Sequence, residues 1–131
     1  MAYHVSKARF AQLVEQALAE LPPQFARFLE EVPLEIQDRP SRKLLRSLGM
    51  DEDELLLGLY QGHALTDRGV EYSAGMPGDR ALDVVYVFQE DVEEVCDNEE
   101  DLKREVRITV LHEIGHHFGL DEDDLEKLGY R

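Results

Sequence analysis

Tryptophan is absent from this 131-residue chain, and cysteine and asparagine each occur once. The lone thiol, Cys96, excludes a disulfide within the chain and suits a reducing compartment. It reads as a small packed residue rather than a nucleophile or a metal ligand. Positive charge is scarce as well. Lys and Arg number 14 against 29 Asp and Glu, for a formal net charge of −15. Nucleic acid and anionic membranes require a basic footprint, so neither is expected as a partner. No apolar run approaches the roughly 18 residues of a membrane span, and no charged-then-apolar leader opens the sequence. The expectation is a cytoplasmic protein. The shortage of Asn beside many Glu and Arg fits a heat-adapted one.

What is present is globular. An apolar content of 43% and this length predict one domain, residues 1–131, burying about two thirds of its unfolded surface. Ser6 can cap a helix whose stripe is Phe10, Leu13, Val14, Ala17, Leu18 and Leu21. Pro22 and Pro23 break it and open a short second helix carrying Phe25, Phe28 and Leu29. Alternation over 32–37 predicts a strand, 41–48 a helical turn ended by Gly49, and 55–61 a buried strand. Residues 62–79, rich in Gly, form the longest irregular segment. Residues 81–88 are apolar on both faces, as in a central or covered strand. A short helix over 90–96 then leads into a long one over 98–118.

That long helix has an acidic start, Asp97, Glu99, Glu100 and Asp101, which complements its dipole. Glu99 with Lys103 and Glu100 with Arg104 are placed for i,i+4 pairing. Its second half is apolar almost all round through Ile108, Val110, Leu111, Ile114 and Phe118, and is expected to be buried. Into this half fall His112, Glu113 and His116. Two histidines four residues apart leave one face of a helix, and their neutral imidazoles suit two corners of a zinc tetrahedron. Zinc lowers the pKa of its bound water toward about 7. Glu113, about 100° round the axis, can take the proton and later pass it to a leaving amine. Placing these polar groups in apolar surroundings costs free energy unless something binds them.

A catalytic zinc keeps three protein ligands and one open position. Fifteen residues follow His116 in this sequence, which leaves little room for a ligand on a distant downstream helix. Gly119 can turn the chain back, and three further residues reach about 10 Å, which brings Glu122 to the metal. Asp121 and Asp123 are the alternatives. Glu122 also reads as a residue complementing the dipole of a last helix over 123–128, with Asp121 as its cap. His117 and His63 read as neighbours rather than ligands, and His4 carries no signal. Thr109 lies one turn before Glu113 as a supporting residue. Tyr60, Tyr72 and Tyr130 read as packing residues that could also serve as oxyanion donors.

The run from His112 to Tyr130, with the sequence around 57–62 and 81–88, resembles the small bacterial zincin-like proteins, minimal metzincin-type metallopeptidases. The resemblance implies an α/β fold of the α+β kind, with N-terminal helices and a small mixed sheet of about three strands packed on the motif helix. It also implies one zinc on His112, His116 and Glu122, and Glu113 as base. The chain departs from full-sized metzincins in two ways. An acid replaces the third histidine, and Met1, Met50 and Met76 all precede the motif, so no methionine turn follows it. There is also little room for the subdomain that walls a protease cleft.

The expected activity is therefore a zinc peptidase acting on a peptide or protein through metal-activated water. Strand 81–88 would offer an edge for an extended substrate. A non-catalytic metal-binding or protein-interaction module is the alternative. A metal-dependent RNA hydrolase is a third reading, disfavoured by the charge and by Glu113 itself.

Overall fold

A computed structural model of the chain describes residues 2–61, 83–117 and 122–127, and for 116, 117, 122 and 125 the helix but not the side chain. The chain begins with α1, Lys7–Ala19, whose N-cap Ser6 accepts the Arg9 N–H at 3.0 Å. The expected stripe is buried: Phe10, Leu13, Val14 and Ala17 turn inward. Helix α2, Pro23–Glu31, follows with Pro at its first turn and buries Phe25 and Phe28. Strand β1, Leu34–Gln37, starts two residues later than predicted, because Val32 closes α2 by donating its N–H to Phe28 O. Helix α3, Arg42–Ser47, is capped by Ser41 and stopped at Gly49, which takes φ +74°. L side chains avoid that conformation.

Strand β2, Gly58–Gln61, occupies the second half of the predicted 55–61 run. Strand β3, Val84–Phe88, is the predicted apolar strand; residues 62–82, with the irregular segment and the start of that prediction, lie outside the described residues. Helix α4, Gln89–Glu94, continues from it directly. The long helix is α5, Glu99–His117, started by Asn98, whose Oδ1 accepts the Asp101 N–H at 2.8 Å. A last helix, α6, Glu122–Lys127, begins one residue earlier than predicted.

The three strands make one mixed sheet in the order β1-β3-β2, β3 being parallel to β1 and antiparallel to β2. This confirms the mixed α+β class. It also corrects the proposed substrate edge. With both sides of β3 paired, no extended peptide can add there, and among the described residues the edges belong to β1 and β2. The burial of Val85 and Val87 at 0% exposure accounts for the apolar sequence of this central strand.

The core lies between the sheet and α5, with α1 closing the side. Leu102, Val106, Val110 and Ile114 recur every four residues along α5, and all are fully buried with Leu111. That repeat puts them in one row facing the sheet and α1. Arg9 fixes the starts of α1 and α5 together through two bonds to Glu99, at 2.6 and 2.8 Å. Farther along, Arg107 pairs with Glu20 at 2.9 Å. The predicted i,i+4 pairs are replaced. Arg9 takes Glu99, while Lys103 pairs with Glu100 and Arg104 with Asp101, both i,i+3. A bidentate guanidinium holds a carboxylate better than a helix-surface lysine does.

Cys96 is 0% exposed, and burial pushes its thiol up to about 12. It is a packed core residue, as expected. No helix among the described residues is long and apolar enough to cross a membrane.

Candidate active site

Helix α5 runs unbroken through His112, Glu113 and His116, so the four-residue spacing of the histidines is kept on one helix. His112 is half-buried, and its Nε2 atom is shielded from solvent. Ile114 and Gly115 are buried beside it. Polar chemistry therefore sits at the end of the most apolar half of the helix, as the composition of that half predicts. The side chains of His116, His117 and Glu122 lie outside the described residues, as do His63, Tyr72, Tyr130 and Asp121. Among the described residues no group of three His, Cys, Asp or Glu side chains could hold a metal. Glu122 stands at the first position of α6, and Asp123 is exposed.

Glu113 is where the helix meets the sheet. Its Oε1 accepts the backbone N–H of Tyr60, on β2, at 2.7 Å. That N–H points away from β3. Phe88 donates its N–H to Leu57 O, so Leu57, Leu59 and Gln61 direct their backbone groups to β3 while Gly58 and Tyr60 direct theirs outward. The carboxylate thus occupies an outer-edge donor of the sheet.

One turn earlier, buried Thr109 packs its methyl against Gly58. A Cβ at Gly58 would strike the Thr109 methyl and lie 2.8 Å from Tyr86 O. Thr109, expected as a supporting residue, spaces β2 from α5. Tyr60 is a packing residue with an engaged phenol: its hydroxyl donates to buried Asp83 at 2.7 Å, and its ring lies 6.1 Å from that of Phe28. Neither the Glu113–Tyr60 bond nor the Gly58 contact has a sequence signal, since both join segments about fifty residues apart. Only the glycine within a strand pattern hints at a close approach.

A second polar cluster went unseen for the same reason. Glu93, on α4, is 2% exposed and binds the N-terminal segment: its carboxylate accepts the Val5 N–H at 3.0 Å and pairs with His4 Nδ1 at 3.0 Å. Gln89 Nε2 donates to Val5 O and to Glu93. Burial pushes the Glu93 carboxyl up, but the bonds from His4, Val5 and Gln89 outweigh it and hold it below the usual range. The same bond raises the His4 imidazole above its ordinary value.

Two histidines stand one helical turn apart on α5, and a glutamate opens the next helix. Beside His112 stands a carboxylate bonded to β2. The donor types fit zinc. The family described as zincin-like metallopeptidase matches residues 29–130. Among solved structures, a conserved hypothetical protein from Thermo thermophilus is similar over 87% of this chain and 94% of its own. Its TM-score is 0.53 at 22% identity, a likeness of fold. No curated protein matches the chain.

Proposed function

The chain belongs to the zincin-like metallopeptidase family, and from that premise we propose that it is a zinc-dependent peptidase of the cytoplasm. His112, His116 and Glu122 would hold one zinc ion. Zinc, when bound, supplies Lewis acidity and a water made acidic enough to attack a carbonyl at neutral pH. Glu113 takes the proton and returns it to the leaving amine. The outer edge of β2, rather than the central strand, would align an extended peptide.

One observation supports this reading above the others. On the turn that carries His112, the adjacent glutamate is held at the sheet edge where a peptide would pair. A helix surface glutamate would have no reason to be fixed there.

The test has two parts. Calorimetric titration of metal-stripped protein should give one tight zinc site per chain, weakened by Glu122→Ala. Glu113→Gln should then lower peptide hydrolysis by about 10²–10⁴-fold while zinc binding stays as tight as before. Zinc bound without hydrolysis in the parent would reduce the protein to a metal-binding module. Loss of zinc together with activity in Glu113→Gln would remove Glu113 from the role of base.

A further inference from the structure

We infer that the backbone amide of Tyr60 is a positioning group for the Glu113 base. The inference rests on the peptidase reading for its kinetic consequence, but its geometry stands apart from it. A glutamate side chain on a helix turns freely about its single bonds. Here one oxygen accepts the Tyr60 N–H at 2.7 Å, a short, charge-assisted bond. The donor is itself fixed. Tyr60 is tied through its hydroxyl to Asp83 and through its ring to Phe28, and Leu57, just before β2, is bonded to Phe88. Gly58 is pressed on Thr109, so the strand cannot drift along α5. A carboxylate held by a rigid strand turns through a narrower arc than one on a free helix surface.

The test removes the donor, and with it only weakens the Leu59 carbonyl as an acceptor toward β3. Tyr60 is replaced by its α-hydroxy acid, which puts an ester oxygen in place of the N–H and keeps the side chain. The ladder to β3 does not use this N–H, so folding is expected to survive. In zinc-loaded enzyme, kcat should fall about 10–100-fold, with KM and zinc affinity within about twofold of the parent. An unchanged kcat, or a loss carried by KM alone, overturns the inference. Amide hydrogen exchange provides an arm independent of activity. In Glu113→Ala the Tyr60 amide should lose protection at least about tenfold, while Val85 and Phe88, bonded to Pro33 O and Leu57 O, keep theirs. Equal protection of Tyr60 in both proteins overturns it as well. If the parent hydrolyses no peptide, the peptidase reading fails, and the exchange result alone decides the positioning role.

Discussion

Gly58→Ala probes the contact on which the site depends. A β-carbon at this position would run into the Thr109 methyl and stand 2.8 Å from the Tyr86 carbonyl oxygen, closer than real side chains come. Gly58 is not among the glycines at positive φ, so backbone strain plays no part. In open space the change would stabilise the fold by about 0.4–1 kcal/mol through the unfolded chain. Overpacking opposes this at about 1–3 kcal/mol. Opposite signs make the outcome informative. The neighbours are a buried threonine on a helix and a strand backbone, neither of which can swing away, so the steric cost should win by about 1–2 kcal/mol. For a domain of this size that lowers Tm by roughly 3–10 °C. Thr109→Ser removes the nearer obstacle and leaves the Tyr86 oxygen, so in the double variant it should recover about half of the loss. A double-mutant cycle read from thermal melts by circular dichroism measures that coupling. A Tm at or above the parent's for Gly58→Ala, or strict additivity with Thr109→Ser, would refute the tight strand–helix contact.

Two further outcomes follow from the buried polar groups. The His4–Glu93 pair should stabilise the N-terminal segment most between about pH 4.5 and 6.5. His4 has a folded pKa above its ordinary 6.5, so its contribution is complete below 6.5 and disappears as pH rises through the folded value. Glu93, held below its ordinary 4.5, contributes fully above 4.5 and loses this as pH falls through its folded value. Nearby Glu90 and Glu94 act on His4 in the same direction as Glu93. Melting of parent and His4→Ala across about pH 5–8.5 should show a gap that narrows on the alkaline side; a constant gap would mean that charge plays no part. Cys96, buried with its thiol raised to about 12, should resist a thiol reagent at about pH 8 until the protein unfolds. Labelling of the native protein at the rate of the denatured one would contradict this placement.

Much of the architecture can be read from local pattern. The stripe of α1 and the four-residue repeat of Leu102, Val106, Val110 and Ile114 predict helices and their buried faces because the period of a helix is local. Ser6, Ser41 and Asn98 mark helix starts through bonds to residues three positions away. The end of β1 nearest α2 is less legible, because Val32 reads equally as strand and as helix closure. The 112–116 motif is likewise local: two imidazoles and a carboxylate on one turn need no knowledge of the fold. What decides Glu113's orientation is not local. It depends on a strand 53 residues away reaching the helix, and on which side of that strand faces outward. The apolar run of β3 announced a covered strand but not its partners, and so pointed to the wrong edge.

The sequence by itself determined the helices, their inward faces, a covered apolar strand and the chemical types gathered on α5, because each follows from periodicity, capping or composition within a few residues. Tertiary structure alone decided that β2 is an edge of the sheet among the described residues and that Tyr60 donates to Glu113. It also decided that Glu93 is buried against the N-terminal segment. Hydrogen bonds and close contacts of this kind depend on distances in space between segments far apart in the chain, and no local pattern encodes them.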